Sequence, residues 1–275
     1  MKVVDIDKLF EKYISAYVYK NIGKVKADEI EDKIPKLYEK FGKAELKELD
    51  GKTPETFYDG YAMEELLECL KEHIATKTSV SDFLCEAIIK AKDGSALYNA
   101  LNQDESEEFT AYCMNFLHDR QDKIPVSRYF EFALLDYPDT IGELATEYLE
   151  ENAEDVSDFA IAEYENASDK GKERIADILS RGKRSDKAFD ILTKEFASHT
   201  KEIALYSSYL SRYGDDRAIP ILTETAKNEK ISYADFQELR FAIESLGGEC
   251  DIKRDFSCDK TYKKIKGASK EHKHI

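Results

Sequence analysis

The sequence SDKAFDILT at residues 185–193 is followed by DDRAIPILT at residues 215–223. The two phrases share Asp, Ala, Ile, Leu and Thr, each at the same offset along the chain. A second phrase, LSR, occurs at residues 179–181 and again at residues 210–212, with a glycine close behind each copy. Self-similarity at a fixed period of about 30 residues is typical of arrays of stacked helix pairs. The sequence therefore predicts a helical repeat architecture in this part of the chain.

Helix-start signals continue this rhythm on both sides of the repeated phrases. Ser, Thr, Asp or Pro stands near each expected start, at residues 81, 106, 125, 140, 155, 169, 185, 200, 216 and 232. Most of these side chains can accept hydrogen bonds from the free N–H groups of a first helical turn. The phrase TIGE at residues 140–143 fits a capping box. No segment alternates apolar and polar residues as a half-buried strand does, so we predict an all-α fold.

Three regions are predicted along the chain. Residues 1–80 form an atypical helical N-terminal cap region, with amphipathic helices expected over residues 5–21, 27–41 and 61–75. Residues 81–248 form the helical repeat array. Residues 249–275 form a basic C-terminal tail, because residues 260–275 hold six lysines and one glutamate. An atypical first region is expected because the terminal units of an array must present one face to water.

The second copy of the repeated phrase resembles the first helix of a HEAT or HEAT-like repeat, a family that includes phycobilin lyase subunits. Residues 216–222, DRAIPIL, have its acidic start, its Ala-Ile core pair, its first-turn proline and the leucine that follows. The first copy is similar but has Asp190 in place of the proline. The resemblance covers about residues 155–248 and extends less clearly over residues 81–154. It implies an α-α superhelix, a solenoid of antiparallel helix pairs that presents its concave face to a partner.

The acidic charge of the chain limits its partners. The formal net charge is −16, and residues 131–170 alone carry 13 acidic residues and one basic residue. Binding to nucleic acid needs clustered Lys and Arg, and an anionic membrane surface attracts the same residues. We therefore expect no nucleic acid and no membrane among the partners, and we expect another protein, of basic character.

The cysteines and the absence of long apolar runs indicate a cytoplasmic protein. The five cysteines, at residues 69, 85, 113, 250 and 258, are odd in number and widely spaced, as free thiols in a reducing compartment are. The N-terminal residues are charged where a secretion signal would be apolar. No run approaches the length of apolar sequence that a membrane-spanning helix needs.

The catalytic and metal-binding patterns of the sequence predict no enzyme, no cofactor and no metal site. The phrases G-x-S-x-G, H-E-x-x-H, C-x-x-C and G-x-G-x-x-G are all missing from the sequence. Cys69 and His73 share a helix face and have the spacing of two zinc ligands. The alternative is that Cys69 continues a buried stripe and His73 lies at its edge. Cys250 and Cys258 precede two histidines, at residues 272 and 274, and these four residues could hold zinc. The alternative is a basic tail without a metal site.

Tyrosines and glutamates define the predicted binding surface. The chain has 17 tyrosines and no tryptophan. In HEAT-like arrays the second helix of each pair lines the inner face, and the candidate partner-binding residues lie on such helices: Glu143, Glu147, Tyr148, Glu151, Tyr206 and Tyr209. A groove of tyrosines rimmed by carboxylates would suit a basic or amphipathic protein segment. The sequence therefore predicts a non-catalytic protein-binding scaffold.

Two other functions are compatible with the same architecture. HEAT-like folds include DNA glycosylases and chromophore lyases, but the missing tryptophan and the acidic middle of the chain disfavour both. An array with incompletely capped ends can also self-associate, so a homodimer is the other alternative.

Overall fold

The structure is a computed structural model that describes residues 3–21, 30–103, 105–135 and 137–271, with side chains described up to residue 266. All regular secondary structure in these ranges is helical, and no β-strand occurs within them. The prediction of an all-α protein is confirmed, and the superhelical arrangement stays a prediction. None of the helices in the described ranges is both long enough and apolar enough to cross a membrane.

The chain divides into two compact units, residues 1–128 and residues 129–275. The predicted divisions at residues 80 and 248 fall inside these units and stay predictions. The first unit contains helices α1 (Ile6–Lys20), α2 (Ile34–Gly42), α3 (Met63–Ala75), α4 (Asp82–Lys90), α5 (Ser95–Leu101) and α6 (Glu107–Asp119), and helix α7 (Val126–Leu134) begins at its end.

Local capping sets the helix starts of the first unit. The Asp5 carboxylate accepts a hydrogen bond from the Lys8 backbone N–H at 2.9 Å, and so fixes the start of α1. The Ser106 hydroxyl does the same for α6. Helix α2 contacts α1, and helices α3, α4 and α6 contact one another around a buried core. Its largest fully buried side chains include Leu70 and Phe109.

The second unit contains two rows of helices. Its elements are α8 (Asp139–Glu151), α9 (Ala153–Glu163), α10 (Asp169–Arg181), α11 (Asp186–Ser198), α12 (Ile203–Tyr213), α13 (Ile219–Ala226), α14 (Tyr233–Ser245) and α15 (Lys260–Glu271). Helices α8, α10, α12 and α14 form one row, in which each contacts the next. Helices α9 and α11 contact each other in the other row, and α9–α10, α11–α12 and α13–α14 pack as consecutive pairs.

The two repeated phrases occupy equivalent positions in this arrangement. The first begins α11, where the Ser185 hydroxyl accepts from the Ala188 N–H at 3.2 Å. The second begins with a 3₁₀ turn over residues 216–218 and continues as α13. Pro220 lies in the first turn of α13, where a backbone N–H would have no acceptor within the helix, so the proline removes no hydrogen bond. Ala188 and its counterpart Ala218 are both fully buried.

The structure differs from two local predictions and adds a helix to the basic tail. The capping box at residues 140–143 is wrong, because α8 begins at Asp139 after Pro138 and has no side-chain cap. The predicted helix starts do not include the short helix α5, since its N-cap Gly94 offers no side-chain oxygen. The basic tail contains a helix, α15, and its Tyr262 ring packs against Tyr233 of α14 at 5.0 Å between centroids.

Candidate binding groove

A shallow groove of about 280 Å³ lies between α8 and α10, two neighbours in the first row of the second unit. Its lining residues are Glu143, Thr146, Glu147, Glu150, Lys170, Glu173, Arg174 and Asp177. We call this surface the acidic groove.

Helical periodicity places these side chains on facing surfaces. Glu143, Glu147 and Glu150 follow i, i+4, i+7 spacing on α8, so they share one side of that helix. Glu173 and Asp177 have i, i+4 spacing on α10. The same helices bury a different side in the core of the unit. The groove is therefore a product of two amphipathic helices that pack side by side.

Carboxylates outnumber cations in the acidic groove, five to two. Both cations are engaged with other groups. The Lys170 ammonium pairs with the Asp139 carboxylate. The Arg174 side chain is buried, and its Nη1 donates to the Ala133 carbonyl at 2.9 Å. The guanidinium lies over Gly142, where a Cβ atom would overlap it. With Asp139 and with the Arg181 and Arg212 guanidinium groups that pair with Glu150 and Asp177, six carboxylates face four cations, and a net charge of −2 remains.

The inner end of the groove holds two carboxyl groups and two guanidinium groups. Arg181 Nη2 lies 2.9 Å from Glu150 Oε2, and Arg212 Nη1 lies 2.5 Å from Asp177 Oδ1. Arg181 also reaches Asp177 at 3.6 Å. Burial raises the pKa of Glu150 to about 7, and the neighbouring Asp177 carboxylate adds to the rise, whereas Arg181 opposes it. Glu150 is therefore partly protonated near neutral pH.

The three predicted tyrosines do not belong to the groove surface. Tyr148, Tyr206 and Tyr209 are 6%, 1% and 4% exposed, so their rings pack inside the unit. Tyr206 stacks against His199 at 4.4 Å between ring centroids. The Tyr209 hydroxyl donates a long hydrogen bond to Asp177 Oδ2 at 3.4 Å, and burial raises the pKa of this hydroxyl. The three rings therefore pack beneath a groove that carboxylates line, as the alternative of core packing requires, and a partner-binding role for them stays a prediction.

The predicted glutamates divide between the groove and its surroundings. Glu143 and Glu147 are exposed and line the acidic groove together, whereas Glu151 does not line it. Glu150, Glu173 and Asp177 also line the groove and are not among the predicted binding residues. The spacing of Glu150 after Glu147 is visible in the sequence, but the α10 residues come close only through the packing of α8 on α10.

No group of three or more His, Cys, Asp or Glu residues among the described residues has a geometry that could hold a metal ion. Cys69 and His73 are both buried, and His73 Nδ1 hydrogen-bonds with the Ser79 carbonyl at 2.7 Å. Cys250 and Cys258 are free thiols. The histidines at 272 and 274 lie outside the described residues.

Comparison of the chain with protein-family models, curated proteins and solved structures finds no match.

Proposed function

We propose that the chain is a non-catalytic protein-binding scaffold whose acidic groove receives a basic segment of another protein. The observation that carries this proposal is the excess of carboxylates in the groove, of which Glu143, Glu147 and Glu173 form no ion pair with another described residue. Lysine or arginine side chains of a partner would meet an excess of negative charge along one face of α8 and α10. The HEAT-like resemblance supports the proposal, because it assigns the same row of helices to the partner-binding face.

The occupant is a basic segment because of the way the carboxylates are distributed. Glu143 and Glu147 stand exposed at one side, where they favour rapid capture of a cation. Glu150 and Asp177 lie deeper and already bind arginine side chains of the protein itself. A long lysine or arginine side chain can pair with the exposed carboxylates while its methylene groups cover the groove floor.

The test measures the binding of a labelled, lysine-rich helical peptide to the full chain by fluorescence anisotropy at pH 8. The double variant Glu143→Lys, Glu147→Lys reverses two groove charges. The matched control, Asp158→Lys with Asp190→Lys, reverses two exposed charges on α9 and α11. Each exposed pair contributes up to about 1 kcal/mol, so we expect the groove variant to bind about tenfold or more weakly.

Three outcomes would contradict the proposal. An equal loss of affinity in the groove variant and the control variant would mean that net charge alone attracts the peptide. No saturable binding by the unmodified chain at low salt would remove the groove as a peptide site. Binding that does not weaken between about 50 and 200 mM salt would exclude charge pairing as its basis.

A further inference from the structure

A second cavity, of about 650 Å³, lies within the first unit. Its walls come from α2, from the segment of residues 55–61 and from α4. This volume is in the range of small-molecule sites, and it exceeds that of the acidic groove. We call it the aromatic pocket, because its lining includes the rings of Tyr38, Tyr58, Tyr61 and Phe83.

The aromatic rings of the pocket are held in place by packing. Tyr38 and Phe83 stack with 5.3 Å between centroids and 24° between ring planes. Phe10 of α1 meets the Tyr38 ring edge-on at 4.8 Å. The Tyr38 hydroxyl lies 3.3 Å from Asp82 Oδ2, to which it donates. The Tyr61 ring has the Lys52 ammonium 5.7 Å from its centroid, so one ring of this pocket already accepts a cation.

The polar part of the lining is acidic and largely unpaired. Glu39, Glu55 and Asp59 are exposed, and none of their carboxylates has a hydrogen bond or an ion pair with another described residue. Lys90 is the one basic residue among the described lining residues, and its ammonium lies 2.5 Å from Glu86 Oε2. Four carboxylates and one ammonium give the lining a net charge of −3, and the Lys52 ammonium over the Tyr61 ring brings the charge of the pocket to −2. The charge of the pocket therefore favours a cationic ligand over a neutral or anionic one.

We propose that the aromatic pocket binds a linear aliphatic diamine or polyamine. Ammonium groups donate N–H hydrogen bonds, which the carboxylates of Glu39, Glu55 and Asp59 can accept. The methylene chain between the ammonium groups covers the apolar faces of Tyr38 and Phe83. The ammonium groups of a linear polyamine are spaced along its methylene chain, and the pocket carboxylates are likewise spread over α2 and the segment of residues 55–61.

The same features disfavour the other classes of cation. A permethylated ammonium group has no N–H donor, so it forms no hydrogen bond with the three carboxylates. A metal ion needs ligands that converge, and no group of three or more potential ligands in the described part of the chain does so. An anion is opposed by the net negative charge of the lining.

The experiment compares three dications of equal charge by isothermal titration calorimetry with the full chain at low salt: 1,4-diaminobutane, its N-permethylated analogue and Mg²⁺. We expect saturable binding of the diamine, binding of the permethylated analogue about tenfold or more weaker, and no competition from equimolar Mg²⁺. Equal affinities for the three dications would overturn the proposal, because general attraction to an acidic surface would then be sufficient. Failure of the diamine to saturate would overturn it as well.

Isosteric variants locate the site. Glu55→Gln with Asp59→Asn removes two carboxylates of the pocket, and we expect about a tenfold loss of diamine affinity. Glu64→Gln with Glu72→Gln removes two exposed carboxylates of α3 as a matched control, and we expect a change below about twofold. Glu143→Gln with Glu147→Gln neutralises the acidic groove. A loss of diamine binding in the groove variant and not in the pocket variant would refute the assignment to the aromatic pocket.

Discussion

Replacement of Glu150 by glutamine should stabilise the second unit at alkaline pH. Burial raises the pKa of this carboxyl from 4.5 to about 7. The folded state therefore holds the Glu150 proton more tightly than the unfolded state does. A raised folded-state pKa gives stability that is fully present below about pH 4.5 and is lost as the pH rises through about 7. Glutamine resembles the protonated carboxyl and cannot lose a proton, so the variant keeps this stability at all pH values.

The size of the effect follows from the pKa shift. One pKa unit corresponds to about 1.4 kcal/mol, so the full shift corresponds to about 3 kcal/mol above pH 7. The Glu150 side chain is 18% exposed, and solvent screening reduces the figure to about half. This free energy already includes the loss of the ion pair between Glu150 and Arg181, because the lowering effect of Arg181 is part of the same net pKa shift. We expect Glu150→Gln to raise the free energy of unfolding by about 1.5 kcal/mol at pH 8.

Urea unfolding followed by circular dichroism at pH 8 and pH 5.5 measures this difference. With a urea dependence of about 2 kcal/mol per molar, the midpoint should rise by about 0.7 M at pH 8. The rise should be about half as large at pH 5.5, where the folded carboxyl is protonated and the unfolded one is mostly ionised. Glu147→Gln removes the same charge from the exposed side of the groove and should change the free energy of unfolding by less than about 0.5 kcal/mol, as surface substitutions usually do.

Two results would refute the reasoning. A gain that is equal in the Glu150 and Glu147 variants would show that relief of general acidic repulsion, rather than burial, determines the effect. A loss of stability in Glu150→Gln at pH 8 would show that the ion pair between Arg181 and Glu150 outweighs the cost of burying the carboxylate.

Three further predictions concern other parts of the chain. Arg120→Ala should lower the free energy of unfolding by about 3 kcal/mol in urea titrations, because the two N–H groups of Nη1 are shared among three backbone carbonyls at the end of α4. Arg120→Lys should recover only part of this loss. Tyr213→Phe should cost about 1–2 kcal/mol in thermal unfolding, since the hydroxyl accepts from Ser185 N at 2.7 Å and donates to its carbonyl at 3.1 Å. Burial raises the pKa of Cys113 to about 12, so at pH 8 a disulfide reagent should modify Cys113 only after unfolding. Cys258 is an exposed thiol, so Cys258→Ser should remove the fastest phase of modification.

The repeated phrases predicted the helix boundaries well because they combine an N-cap side chain with a buried apolar stripe. Ser185 caps α11, and the Asp215 side chain accepts from Arg217 N at the start of the second copy. Both signals are local, so the sequence contains them in full. The position of Pro220 also indicates where the α-helical part of the second copy begins, because proline is tolerated in a first turn.

The burial of the tyrosines has a reason that the sequence contains. Ile203, Tyr206, Leu210 and Tyr213 follow the i, i+3, i+7 and i+10 spacing of one buried stripe on α12. Tyrosine is amphipathic, so composition alone does not decide between core and surface. The apolar neighbours in the stripe decide it, and they place the rings in the packing of the unit.

The deeper half of the acidic groove could not be predicted from one segment of sequence. Glu150 and Asp177 belong to different helices and meet only because α8 packs against α10. The raised pKa of Glu150 depends on this packing, since burial and the Asp177 carboxylate are its two largest causes. The register between adjacent helices of a row therefore has to be known before the electrostatics of the groove can be derived.

The raised pKa also bears on how an acidic groove remains compatible with a stable fold. Near neutral pH, Glu150 retains a proton for part of the time, so the free protein avoids part of the cost of a buried charge beside Asp177. A basic ligand stabilises the ionised form, and its binding must then release that proton. Affinity for a cationic peptide should consequently rise between pH 6 and pH 8, and Glu150→Gln should remove most of this dependence. In the proposed complex, the proton would therefore compete with the cations of the partner for the Glu150 carboxylate.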